Sequence, residues 1–243
     1  MTLLIILIAV ALLFDFLNGL HDAANSIATT VSTRVLSPKY AVAWAAFFNF
    51  IAFAVFGLHV ATTVVTRIVS PSVISDQVIF GAKMGGLVGA GICKTSFEAV
   101  VVKGLAKTFG AIVLSPATGF FLSLLLVLFV SYTFFKTLRY KTDKLFRYGQ
   151  FVSASAYSLG HGGNDAQKTM GIIATLLFAH GMSGGTFHVP FWVVITCQAA
   201  MGLGTLFGGW HIVRTMGSRI THLTPVQCNC AETAGSIILF GAT

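Results

Sequence analysis

Charge is the first thing this sequence lacks. Only 9% of its 243 residues are Asp, Glu, Lys or Arg, against about 25% in an ordinary soluble domain. With 56% hydrophobic residues and a mean hydropathy of +0.86, the deficit excludes a water-soluble globular protein and defines an integral membrane protein. Cysteine is scarce too. Cys93, Cys197, Cys228 and Cys230 contain no CxxC pair, and Cys93 and Cys197 sit in apolar context. That argues against a disulfide framework or a zinc site and leaves buried thiols. HExxH and P-loop patterns are missing, which removes the commonest metalloprotease and nucleotide-hydrolysis readings. Residues 2–14 have no Lys or Arg ahead of their apolar run and no small-residue cleavage site after it, so they read as a helix that stays, not a signal peptide.

What is present is long, continuous apolar runs. They have the length and lack of alternation of helices, unlike the strands of an outer-membrane barrel. The net charge of +8 then belongs to basic loops on the cytoplasmic side and not to nucleic-acid binding. Five basic residues, Lys136, Arg139, Lys141, Lys144 and Arg147, follow the strong span at 109–135 with a single acid, Asp143. The spans imply a multi-pass protein of the cytoplasmic (inner or plasma) membrane, with the lipid bilayer as its first partner.

Two polar stretches interrupt this apolar background. One is Leu17-Asn18-Gly19-Leu20-His21-Asp22-Ala23-Ala24-Asn25-Ser26; the other runs from Gly160-His161-Gly162-Gly163-Asn164-Asp165 through Ala166-Gln167-Lys168-Thr169-Met170-Gly171. With the aspartates aligned, Gly19 falls on Gly162, His21 on Asn164, Ala23 on Ala166, Asn25 on Lys168 and Ala28 on Gly171. Matched glycine- and acid-bearing interruptions in two halves are the pattern of an inverted-repeat transporter with broken helices. The fold expected is therefore an all-α polytopic membrane protein of about six or seven membrane segments.

The first repeat covers residues 1–135, a basic cytoplasmic linker 136–148, and the second repeat 149–243. Helix one is expected to break at Asn18-Gly19 and resume around Asp22. The region 78–113 is anomalous: its longest uncharged run, Met84 to Cys93, is ten residues, too short to cross ~30 Å of hydrocarbon. The first repeat therefore reads as partly deleted around 78–93. The closing apolar run from Ala231 to Thr243 is short by the same measure, which reads as a truncated second repeat.

Asp22 and Asn25 lie one helical turn apart, as do Asp165 and Lys168, so each pair shares a face. Carboxylates and amide oxygens are hard ligands suited to Na⁺ or to a proton relay. Asp22, Asn25, Asn164 and Asp165 are thus the candidate cation and metal ligands. Lys168 and Thr169, with Gln167, Ser26 and Thr29, are candidates for meeting an oxyanion. A polar pairing that merely glues helices is the bland rival, and two matched acids in hydrocarbon argue against it. Asp15 and Glu232 are read as further carboxylates in or near the pathway. For His21 and His161 the favoured reading is ordinary hydrogen bonding.

At these two stretches the sequence resembles the inorganic phosphate transporter (PiT) family. Supporting segments are Thr33-Arg34-Val35-Leu36-Ser37-Pro38, Gly208-Gly209-Trp210, Arg214-Thr215-Met216-Gly217, Leu223-Thr224-Pro225-Val226-Gln227 and Ala231-Glu232-Thr233. The resemblance implies an all-helical symporter that moves inorganic phosphate, free or as a divalent metal–phosphate complex, with Na⁺ or H⁺. It implies no enzymatic activity and no resident cofactor, and leaves a homo-oligomer open. The family's two serine-rich hairpin tips, which help hold phosphate, have no counterpart here; Gly81-Ala82-Lys83-Met84-Gly85-Gly86 stands where the first belongs. An internally deleted and C-terminally truncated member fits these departures. The alternative to a symporter is a non-transporting relic or a regulatory, partner-binding subunit.

Overall fold

Hydrocarbon offers no water to satisfy the backbone, so a spanning segment must close its own hydrogen bonds. The computed structural model describes residues 2–55, 102–182, 188–219 and 224–242, and among them every regular element is helical. The helices are α1 (Thr2–Ser32), α2 (Pro38–Ile51), α3 (Val102–Thr133), α4 (Arg139–Ala179), α5 (Phe191–Arg219) and α6 (Pro225–Ala242). A 3₁₀ turn at Ala52–Ala54 follows α2. Stretches within α1, α3 and α5 (Thr2–Ser32, Phe109–Thr133 and Phe191–Gly208) are long and apolar enough to cross a membrane. This is an all-α, polytopic membrane protein. The anomalous segment 78–93, with Gly81 to Gly86, lies outside the described residues.

Neither expected break is present. Helix α1 runs through Asn18-Gly19 and α4 runs through the second polar stretch. The glycines that suggested breaks serve another purpose. A Cβ on Gly19 would lie 2.3 Å from the Met201 carbonyl oxygen, and one on Gly204 would lie 2.0 Å from that of Phe16. Helices α1 and α5 thus meet backbone to backbone, an approach only residues without a side chain permit. Gly162 does the same against α2, where a Cβ would fall 2.7 Å from the Asn49 Cα.

Both of these long helices stop in the same way. The Val35 and Arg34 amides bond back to the Thr30 and Val31 carbonyls, and Arg34 takes a left-handed φ of 56°. At the end of α4, Met182 and Gly181 bond to Leu177 and Phe178, with Gly181 at φ 72°. Each is a Schellman termination, which satisfies the last carbonyls of the helix.

The interval 136–148 also differs from an open linker. Residues from Arg139 onward are already helical. At 41 residues α4 is about 60 Å long, twice the ~30 Å hydrocarbon thickness, and its basic first turns are part of that one helix.

The apolar core lies where one end of α1 meets α4 and α5. Leu4, Leu7 and Ala11 pack against Met170, Ile173 and Leu176, with Val193, Cys197 and Met201 closing the third side. A smaller cluster, Ile27 with Ala41, Val42 and Ala45, joins α1 to α2. By contrast, none of the described side chains of α3 is buried: a half-buried stripe that includes Leu122, Leu126 and Val130 faces the protein and the others are exposed, as expected of a helix at the lipid boundary.

Candidate functional site

Helices α1 and α4 pack antiparallel, and the register is fixed by polar pairs. The Thr169 hydroxyl donates to Asp15 at 3.0 Å near one end. His161 faces Asp22 in the middle. Near the other end the hydroxyl of Thr33 donates to Gln150 Oε1 at 2.9 Å. As residue numbers rise along α1 they fall along α4, which brings the two polar stretches to the same level.

At that level three side chains converge. His161 Nδ1 is 3.3 Å from Asp165 Oδ2, and its Nε2 is 3.9 Å from Asp22 Oδ2. The donor atoms of Asp22, His161 and Asp165 lie within 4.8 Å of one another. The Nε2 atom is buried and has no hydrogen-bond partner among the described residues. Asn25 donates its amide to Asp22 at 3.1 Å, and Lys168 reaches Asp165 at 2.6 Å. Both of these partners are exposed, whereas the two aspartates are half-buried. The result is an acidic pair from two helices, bridged by one imidazole, with an ammonium at its mouth. Two carboxylates and a ring nitrogen at this spacing fit a small cation.

Other expected site residues lie elsewhere along the seam. Asn164 turns toward α6 and donates to the Gly160 and Leu239 carbonyls at 3.0 and 3.2 Å. Gln167 is buried, and Thr169 is committed to Asp15. Thr29 donates to Glu232 at 2.5 Å. The side chain of Ser26 lies outside the described residues. The structure therefore brings Asp22, Asn25, Asp165 and Lys168 together, and sets Thr29 and Thr169 at separate levels. His161, favoured from the sequence as an ordinary hydrogen-bonder, is the bridge of the cluster; the offset that aligns Asp22 with Asp165 leaves it matched to Asn18 and gives no sign of this.

A second polar group surrounds Glu232 on α6. Its carboxylate accepts from Thr29 and from Ser153, and Asn229 donates to the Ser153 hydroxyl at 3.1 Å. Glu232 is 5% exposed, so these hydroxyls replace the water it would otherwise need. Glu232→Ala is expected to cost about 2 kcal/mol of stability, because both hydroxyls lose a charged acceptor. Glu232→Gln, which keeps a carbonyl there, should lose less. Melting curves of the purified protein in detergent check this; equal losses in the two variants would show that the hydroxyls do not depend on Glu232.

An all-helical membrane protein with a charged cluster between two sequence-matched helices is organised as a transporter. The phosphate transporter family model matches residues 18–84 and 80–243. The chain belongs to that family. It is 63% identical to a probable low-affinity inorganic phosphate transporter of Rhizobium meliloti (strain 1021), over 99% of this chain and 79% of the relative. A protein of the same description from Bacillus subtilis (strain 168) is 38% identical, over 99% of this chain and 80% of the relative. A solved structure titled "The sodium-dependent phosphate transporter" shares the fold, with a TM-score of 0.85 at 20% identity, covering all of this chain and 84% of the other. These relatives are transporters and not enzymes. The alignment with the Rhizobium protein runs over 264 residues, longer than the 243-residue chain, so that relative carries residues without a counterpart here.

Proposed function

We propose that this protein carries inorganic phosphate across the cytoplasmic membrane in symport with a cation, Na⁺ or H⁺. The observation that carries the reading is the meeting of Asp22, His161 and Asp165 from two matched helices in a chain of the phosphate transporter family. The relatives' names supply phosphate, and the structural neighbour's title favours Na⁺.

Coupling follows from charge. Phosphate is an anion, and two unit charges of like sign 4 Å apart repel by about 4 kcal/mol at an effective dielectric of ~20. Asp22 and Asp165 therefore oppose phosphate while they stand as bare carboxylates. A cation between them, steadied by Asn25 from the side and with Asn164 nearby on α4, removes that opposition. Lys168, exposed and only one turn from Asp165, then offers its ammonium to the phosphate oxygens. A divalent metal bound to phosphate would bring its own positive charge to the same carboxylates.

The test is labelled-phosphate uptake by reconstituted vesicles under a Na⁺ gradient, under a pH gradient and under neither. One of the gradients is expected to raise uptake ~10-fold, the size of an ordinary coupling free energy. Equal uptake in all three conditions would remove cation coupling. No uptake in any of them, with phosphate still bound in detergent, would favour the second reading, a non-transporting member. That second reading rests on the residues of the Rhizobium relative that have no counterpart here.

A further inference from the structure

We infer that the groove where the α3–α4 turn meets the start of α6 is a binding site for the head group of an anionic phospholipid. The groove encloses about 300 Å³. Its two ends differ in chemistry. Val127, Val130 and Phe134 form an apolar end on α3 and the turn after it, while Arg139, Thr142, Asp143 and Gln227 form a polar end on α4 and α6, with Asp143 its one carboxylate. Apolar wall below and donors above is the profile of a molecule with a charged head and a hydrocarbon tail.

Three observations select the occupant. The apolar end belongs to α3, whose spanning stretch has no buried residue; Val127 and Val130 are half-buried at the edge of its exposed face, so the groove borders lipid. The polar end stands within a basic stretch, Lys136, Arg139, Lys141, Lys144 and Arg147, with Asp143 as its one acid. Arg139 approaches Asp143 only at 4.0 Å and its side chain is 85% exposed, so the guanidinium keeps donors for another partner. Exposed Tyr132, Phe135, Tyr140 and Tyr148 around the same turn form the aromatic belt that marks a membrane–water boundary. The excess of Lys and Arg identifies this boundary as the cytoplasmic one, the leaflet where anionic lipids are found. Thr224 and Gln227 cap α6 through reciprocal hydrogen bonds, and the positive end of that helix adds to the field.

The chemistry recognised is a phosphodiester, and the tail against Val127 and Val130 is what separates a lipid from free phosphate. The full chain in detergent micelles is titrated with phosphatidylglycerol, with phosphatidylcholine and with inorganic phosphate, and bound molecules are counted by native mass spectrometry. Phosphatidylglycerol should be retained at least ~10-fold more tightly than phosphatidylcholine, and inorganic phosphate should not displace it. Arg139→Gln should lose most of that preference, and Val130→Trp, which fills the groove and leaves every charge in place, should lose it too. Lys144→Gln, on a residue outside the groove lining, should retain it. Equal retention of both lipids, displacement by inorganic phosphate, or full binding in Val130→Trp would each overturn the site. Phosphate uptake is not part of this readout, so a chain that transports nothing can still pass or fail it.

Discussion

Replacing Asp22 and Asp165 together by Asn is expected to cut phosphate uptake by ~100-fold, while the protein still purifies as a folded species. The two carboxylates are the anionic partners that converge on His161, one from each half of the chain. Losing the charged partner of a partly buried pair typically costs about 2–5 kcal/mol, and ~3 kcal/mol is that factor of ~100. Asparagine keeps the size of the side chain and its hydrogen bonding, so Asn25 and Lys168 retain an acceptor and the helices keep their packing. Initial rates in vesicles, normalised to protein inserted, give the answer. Uptake by the double variant within a few-fold of the unchanged protein would remove both residues from cation binding.

A larger effect on the fold itself is expected from Gly204→Leu. A Cβ at Gly204 would stand 2.0 Å from the Phe16 carbonyl and 3.0 Å from the Leu20 amide nitrogen, both backbone atoms with no freedom to turn aside. Gly208 faces Leu20 in the same manner, at 2.2 Å from its carbonyl oxygen. Helices α1 and α5 would have to separate along their length. Overpacking a well-filled core costs 1–3 kcal/mol or more, and a backbone clash belongs at the upper end. Little monodisperse protein should survive detergent extraction. Gly110→Leu is the matched control: a Cβ there meets nothing within 4 Å, on a residue of α3 that is exposed. Comparable loss in the two variants would mean that the α1–α5 contact is not what the glycines provide.

These residues also show how far the sequence could be read. The two polar stretches and their shared pattern are visible in the chain because they are local and repeated. The same glycines led to an expectation of broken helices. A glycine in a hydrophobic run signals either a backbone bend or a close neighbour, and only the position of α5 and α2 decides between them. His161 became the bridge through the antiparallel register of α1 and α4, which no local pattern encodes. The pairing of Thr29 with Glu232 joins residues 203 positions apart; a lone threonine and a lone glutamate in the sequence give no hint of each other. The span at 109–135 is legible within α3, while the basic interval after it reads as a linker because its charge hides the first turns of α4, which begin at Arg139.

The way the helices are fastened has a mechanical consequence. Within the α1–α5 pair the fastening is backbone against backbone, at Gly19, Gly204 and Gly208. Within the α4–α6 pair, glycines at 149, 160 and 235 accept the side chains of Asn229, Leu239 and Tyr157. Such joints cannot slip without prising the partners apart, so each pair behaves as a stiff plank. Between the planks, one end is closed by the apolar core of Leu7, Met170 and Met201, and the rest of the seam is held by hydroxyls on carboxylates and amides, at Thr169–Asp15, Thr29–Glu232 and Thr33–Gln150. The tight seat of Gly162 on Asn49 lies one residue from His161. Any side chain added at 162 would therefore press α2 and α4 apart right beside the imidazole that joins the two acids.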